Sequence, residues 1–309
     1  MWRMLTKRGI LVLCVILCSL AAIAFFSFKE TVQYPEPVKR QLDVRKHAWL
    51  SLKDKVTERV GAFGQETGIV IEDLATGWRI SINEDRPLPS ASLAKVPIMA
   101  SYFYASARDG LNLHKGLVLT RRLKAPGSGR LKYMPVGTKF AAEDLIELMI
   151  AESDNTAANM LIDYLGFDYL NNAFKRVGLK NTSIVRKMMD FRFRKAGKEN
   201  FTTAGDIAFL LRQMYRGTLI NKTYSERCMA FLKEQKMRDR IPAKLPDNTV
   251  VAHKTGLENG VCHDAGIVFT PKGDFLITVL TKHKYKNAAA AKKFIAHVAH
   301  DAYDYYQNF

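Results

Sequence analysis

The sequence predicts an α/β protein, an α+β sandwich whose mixed, mainly antiparallel five-stranded sheet is flanked by N- and C-terminal helices and carries an inserted all-α lobe. Three observations predict it: β-rich runs near both ends of the chain, helical periodicity through the middle, and a helical pattern outside each set of strands. Trp49, Leu50, Leu52, Val56 and Val60 recur at helical spacing. Residues 68–72 and 78–82 are short β-rich runs separated by the turn-prone stretch 73–77, which reads as a hairpin. Residues 144–151 and 156–165 carry apolar stripes, and Thr203 with Asp206 makes an N-cap-like start for a helix over 208–215. Periodicity fails over 180–200, a long, basic, irregular loop of the kind that is usually functional or mobile in compact domains. Strands return at 249–254, 265–269 and 275–281, the last two joined by a Pro271-Lys272-Gly273-Asp274 turn, and a final helix covers 288–305. With 309 residues, 48% of them hydrophobic and 25% charged, the chain can bury a sizeable core in one large or two intimately packed domains, and its composition excludes a disordered polymer.

Location follows from the first residues. Arg3, Lys7 and Arg8 precede an uncharged run over 9–28, whose twenty residues match a membrane span and exceed the core of a cleavable signal. The sequence therefore divides into a basic cytoplasmic flank (1–8), a transmembrane signal anchor (9–28), a polar linker carrying Pro35 and Pro37 (29–45) and a folded domain (46–309) held outside the cytoplasm, in the periplasm or on the outer face of the cell membrane. Cleavage after Ala24 is the alternative to a retained anchor. The net charge of +17 would suggest nucleic acid in a cytoplasmic chain, but no nucleic-acid motif accompanies it, and an exported protein meets anionic wall polymers and lipid headgroups instead. Cys14 and Cys18 lie in the apolar run, leaving Cys228 and Cys262 either as a disulfide or as two buried thiols.

The chemistry-bearing residues come as three short strings. Ser92-Leu93-Ala94-Lys95 opens an apolar run, which puts Ser92 near a helix N-terminus with Lys95 one turn on and on the same face. A serine hydroxyl is a poor nucleophile until a base takes its proton, and a lysine serves when burial or a nearby cation lowers its pKa. Alone, this string is also what a solvated helix start looks like. Its company is Ser153-Asp154-Asn155 between two helical segments and Lys254-Thr255-Gly256 at the end of a strand. In order, spacing and local structure the three resemble the class A β-lactamase superfamily, the penicillin-recognising serine hydrolases that include D-Ala-D-Ala peptidases, and the longer string from Ser153 to Asn159 strengthens the likeness. The resemblance runs from about His47 to the end and implies the β-lactamase/transpeptidase-like fold.

By that resemblance Ser92 is the nucleophile, Lys95 its proton acceptor, and Ser153 the shuttle to the leaving nitrogen. Asn155 would bond the substrate's amide side chain, Lys254 and Thr255 would hold its carboxylate, and the backbone N–H groups of Ser92 and Leu257 would form the oxyanion hole, with Lys254 also depressing the pKa of Lys95. Gly256 allows close approach to the strand, and Asp154 holds its turn by local hydrogen bonds. No cofactor or metal is required by this chemistry. His297 and His300, at i and i+3 on the last helix, are the one pair with metal-ligand spacing, and no third ligand is evident in the sequence.

The family's water-activating Glu-x-x-Leu-Asn motif is missing. The corresponding stretch, Arg186 to Arg192, offers only Asp190, either as a shorter base or as an ion-pair partner of Arg186, Arg192 or Arg194. His263-Asp264 stands where the family usually carries an arginine, and His253 precedes Lys254; each is a core histidine or a substrate contact. The resemblance implies a monomeric hydrolase of β-lactams. A membrane-anchored peptidase acting on D-Ala-D-Ala ends of wall peptides is the alternative, indicated by the missing motif, the anchor and the Ala-Pro-Gly-Ser-Gly-Arg segment over 125–130. A stably acylated sensor is the third reading.

Overall fold

The computed structural model describes residues 36–284 and 287–308, so the expected anchor over 9–28 lies outside the described residues. No helix among the described residues is long and apolar enough to cross a membrane. The chain divides into two units, Met1–His47 and Ala48–Phe309, and the described part of the first is the start of helix α1 (Glu36–Phe63), in which no residue before Trp49 is buried. The stretch expected as a linker is thus helical from Glu36 onward. Pro37 marks the helix start, because it sits in the first turn, where its missing N–H has no intrahelical partner to lose.

In the second unit a hairpin follows, β1 (Glu66–Asp73) and β2 (Arg79–Ile82), and then the short strand β3 (Leu88–Pro89). A 3₁₀ turn over Ala91–Ala94 leads straight into α2 (Lys95–Asp109). The lobe continues through β4 (Gly116–Val118), β5 (Lys139–Ala141), α3 (Ala142–Ala151), α4 (Asn155–Leu165), α5 (Phe167–Arg176), the one-turn α6 (Phe191–Lys195), β6 (Phe201–Thr202), α7 (Ala204–Tyr215) and α8 (Lys222–Lys233). The chain closes with β7 (Val251–Glu258), β8 (Val261–Val268), β9 (Phe275–Lys282) and α9 (Ala289–Gln307). The five long strands form one sheet in the order β2-β1-β9-β8-β7, antiparallel at every pairing, with both termini of the domain meeting at the β1–β9 pair.

Strand alternation explains why the sheet is covered on both faces. Ile69, Ile71, Ile277 and Val279 point to one face, where Trp49, Leu52 and Val56 of α1 and Ile295, Val298 and Tyr306 of α9 cover them. Val70, Leu276, Leu280, Ala265 and Ile267 point to the other and join a second core built by α2, α4 and α7. Helix α2 is buried on nearly every side, from Lys95 to Phe103. Such a helix is a rigid post, and its first residue is Lys95. Burial of this completeness predicts that Ile277→Ala costs roughly 2–5 kcal/mol, read as a lower urea midpoint, since Ile277 is fully buried in the centre of the sheet.

Candidate active site

Ser92 lies in the 3₁₀ turn before α2, with Ala91 ahead of it in the left-handed region at φ +44°. That conformation is unfavourable for a residue with a Cβ and persists only where its surroundings enforce it. Here Ser90 N–H donates to Asn200 O (2.8 Å) and Leu93 N–H to Ser90 O (3.0 Å), pinning the turn on both sides. Ser92 is half-buried and lines a cavity.

Lys95 of the same string and Lys254 of the third converge on the hydroxyl of the second, that of Ser153. Lys95 Nζ donates to Ser153 O (2.6 Å), Ser153 Oγ (3.1 Å) and Asn155 Oδ1 (2.8 Å). Lys254 Nζ donates to the same Ser153 Oγ (3.0 Å) and to Thr255 O (2.9 Å). Ser153 reaches this position through a left-handed backbone at φ +54° in the bend between α3 and α4. The bend is held by Asp154, which caps α4 by accepting from Ala157 N–H (2.9 Å) and accepts from Leu131 N–H (2.8 Å), as its expected structural role requires. Gly129 is obligatory beside it, because a Cβ there would lie 2.2 Å from the Asp154 carboxyl carbon.

Both lysines are fully buried. Burial lowers Lys95 to about 7, against a smaller opposing pull from Asp154. Burial also holds Lys254 well below the usual lysine range, the neighbouring Lys95 adding to the drop and Asp264 opposing it. The sequence-based expectation that Lys254 depresses Lys95 is therefore replaced by desolvation as the first cause. The pair cannot comfortably carry two protons at neutral pH, so Lys95 is available as a base.

Lys254, Thr255, Gly256 and Leu257 lie along β7, which is the edge of the sheet and so leaves backbone groups unpaired on its outer side. Leu257 is half exposed and borders the Ser92 cavity. Gly256 is there for close approach, since a Cβ would meet the His263 ring at 3.1 Å and Ser90 O at 3.4 Å. His263 is a strut in the core: its Nδ1 accepts from Thr281 N–H (3.1 Å), which leaves Nε2 to donate to Pro89 O (2.8 Å). Burial keeps it neutral, down to about 4. His253 is also internal, bonded through Nδ1 to Asp264 (2.9 Å).

The cavity, about 120 Å³, brings Ser92, Asn155 and Leu257 together with Gly127, Ser128, Met188, Met189, Asn200, Arg186 and Glu258. The beta-lactamase enzyme family model matches residues 51–306. The chain belongs to that family. Its serine, two lysines and Ser153 make it a serine hydrolase of class A β-lactamase type. It is 24% identical to Beta-lactamase VEB-1 of Pseudomonas aeruginosa over 273 residues, covering 82% of this chain and 90% of that one. Among solved structures, PBP-A superposes with a TM-score of 0.77 at 29% identity, covering 84% of this chain and 97% of that one. A β-lactamase from Sphaerobacter thermophilus gives 0.74 at 28% identity, covering 82% and 97%.

Within this β-lactamase-family site one predicted residue is out of place. The Asp190 carboxylate accepts from Phe193 N–H (3.3 Å) and caps α6, and it borders a neighbouring cavity, not the one that holds Ser92. Among the described residues it does not brace the loop by pairing with Arg186, Arg192 or Arg194 either. Arg186 bonds Glu199 (2.8 Å) and Glu258 (3.0 Å), and Arg194 bonds both acids as well (3.1 and 3.3 Å), joining residues 186–199 to the end of β7. Glu258 is the one carboxylate bordering the Ser92 cavity among the described residues, and both arginines hold it. Beside Ser92 the cavity is lined by Met188 and Met189. Neither the Arg186 clamp nor the two methionines was legible as a site residue. The arginine's partner stands 72 positions away and carries no motif, and a methionine pair reads as core.

Two smaller expectations are answered elsewhere. Cys228 and Cys262 are buried free thiols in separate cores. His300, not His297, sits with Asp301 and Asp304, but the Asp301 carboxylate is engaged by Arg59 and by Lys55.

Proposed function

We propose that this protein hydrolyses the amide bond of β-lactams through an acyl-enzyme on Ser92, on the outer side of the membrane to which residues 9–28 tether it. The observation that carries the reading is the meeting of two buried lysines on Ser153 Oγ, one of them, Lys95, three residues after the nucleophile in sequence. Neutral Lys95 accepts the Ser92 proton as Oγ bonds to the lactam carbonyl carbon. As the C–N bond breaks, Ser153 delivers its proton to the ring nitrogen and is refilled from a lysine ammonium. The N–H groups of Ser92 and Leu257 receive the oxyanion, Asn155 the acyl side-chain amide, and Lys254 with Thr255 the substrate carboxylate. Water then adds to the ester, the C–Oγ bond breaks, and Ser92 recovers its proton.

Asn155 is already oriented for its part, with Oδ1 on Lys95 and one Nδ2 hydrogen on Pro126 O (2.9 Å), which leaves a second amide hydrogen for a ligand. The tether rests on the length and flanking charge of the apolar run, and membrane fractionation of cells expressing the full chain tests it. The acyl-transfer reading is tested by intact mass of the protein mixed with excess benzylpenicillin. An adduct that forms and is lost as the drug is consumed is the expected result; no adduct, or an equal adduct on Ser92→Ala, overturns the assignment. The two methionines in the cavity favour a second reading, a D-Ala-D-Ala peptidase that shares the acylation step. An adduct persisting for hours, with release of D-alanine from a D-Ala-D-Ala peptide, selects it.

A further inference from the structure

Next to the Ser92 cavity lies a second one, about 360 Å³, and Met188 and Met189 border both. Four cations line it: Arg122, Lys124, Lys187 and Arg192. Arg122 and Lys187 share Asp163 (2.8 and 2.7 Å), one carboxylate between two charges. Lys124 donates to a neutral carbonyl, Met134 O (2.6 Å), and neither Lys124 nor Arg192 has a carboxylate partner among the described residues. The one acid lining this cavity, Asp190, uses an oxygen to cap α6. The cavity therefore keeps a net positive field.

Gly127 lines the Ser92 cavity together with the two shared methionines. A Cβ there would lie 3.0 Å from Asn155 Nδ2 and 3.4 Å from Met189 Cε, so the absent side chain leaves the space between Asn155 and Met189 open. Pro126, which accepts from Asn155 Nδ2, lines the basic cavity. An acyl group held by its amide at Asn155 thus leads across the methionine wall toward the four cations.

We propose that this basic cavity is a subsite for a carboxylate borne on the acyl portion of the substrate, so that the protein prefers anionic over cationic acyl groups. The inference rests on the acyl-transfer reading above. The carboxylate can come from a β-lactam side chain or from an acidic side chain in a wall peptide ending in D-Ala-D-Ala, and the recognition chemistry is the same for both.

The test compares acylation efficiency of the full chain on three penicillins that differ at one carbon: benzylpenicillin, its α-carboxy derivative and its α-amino derivative. A parallel pair of D-Ala-D-Ala peptides carries a free or an amidated side-chain carboxyl. The α-carboxy compound is expected to exceed the α-amino compound by about fivefold, the scale that two partly exposed charge contacts supply. Added salt should shrink this ratio, because the Debye length falls below about 10 Å above 0.1 M. Lys124→Gln with Arg192→Gln should remove the preference and leave benzylpenicillin within about twofold, as expected of exposed charges outside the reaction cavity. Discrimination in the penicillins alone or in the peptides alone supports the subsite and names the source. Equal efficiency within both sets, with benzylpenicillin still acylating Ser92, overturns the subsite and leaves the acyl-transfer reading standing. Failure of every compound to acylate Ser92 overturns both.

Discussion

Lys95→Met is expected to slow acylation of Ser92 by about 10²- to 10⁴-fold, the usual contribution of a positioned general base. Methionine keeps the length and the burial of the lysine stem while removing the only nitrogen that bonds Ser153 O, Ser153 Oγ and Asn155 Oδ1 together. A protonated Lys95 fills all three of its hydrogens with those oxygens and has no lone pair, so it cannot take the Ser92 proton. Losing one proton frees the lone pair. With Lys95 lowered to about 7 by burial, the active neutral form grows as pH rises, and acylation should climb to half its maximum near pH 7 and then level. The check is a pH series of stopped-flow acylation by a chromogenic penicillin, with urea midpoints to show that the variant is folded. If Lys95→Met keeps the wild-type rate, the base lies elsewhere. If it is slow but retains the same pH midpoint, the titrating group is not Lys95.

The readable part of this site was the part whose chemistry forces short-range patterns. Ser92 and Lys95 must share a helix face, so they stand three apart. Ser153, Asp154 and Asn155 are consecutive because one bend has to aim a hydroxyl, cap a helix and present an amide. The sheet was legible for a similar reason: the β-rich runs over 68–72 and 275–281 follow from two covered faces, which bury nearly every residue of β1 and β9. Pairings over long sequence distances left no such trace. Arg186 meets Glu258, and His263 ties β8 to Pro89, only because the fold brings them together. The start of α1 was missed for a local reason, since Pro35 and Pro37 are as suited to a linker as to the first turn of a helix. Over 180–200 the irregularity was legible, but the chemistry of Asp190 alone left it open between a base and an ion-pair partner. Position 190 opens a one-turn helix, and an aspartate there satisfies backbone N–H groups before it can serve a ligand.

With Asp190 capping α6, the second large effect follows: Met188→Glu should accelerate deacylation by about 10²- to 10⁴-fold, the range of a positioned general base. Position 188 suits the test because its backbone is fixed at both ends. Asn159 Oδ1 accepts from Met188 N–H (2.7 Å), and Asn159 Nδ2 donates to Met188 O (3.2 Å). The side chain is 7% exposed and borders the cavity that holds Ser92. A glutamate there would be desolvated, which raises its pKa, while Lys95 in its ammonium form would draw it back down; such opposed influences leave a carboxylate ionised yet basic enough to activate water. Glu258 does not already do this, because Arg186 and Arg194 bind its oxygens. The measurement is the lifetime of the benzylpenicillin adduct by intact mass, in wild type, Met188→Glu and Met188→Gln. An adduct shorter-lived than that of the wild type in the glutamate variant alone places an added base at position 188. Equal shortening by glutamine would mean that polarity or water entry limits release. An unchanged lifetime in both, with Met189→Glu shortening it, would move the water's approach to the neighbouring residue, whose left-handed backbone (φ +64°) aims its side chain along the same wall.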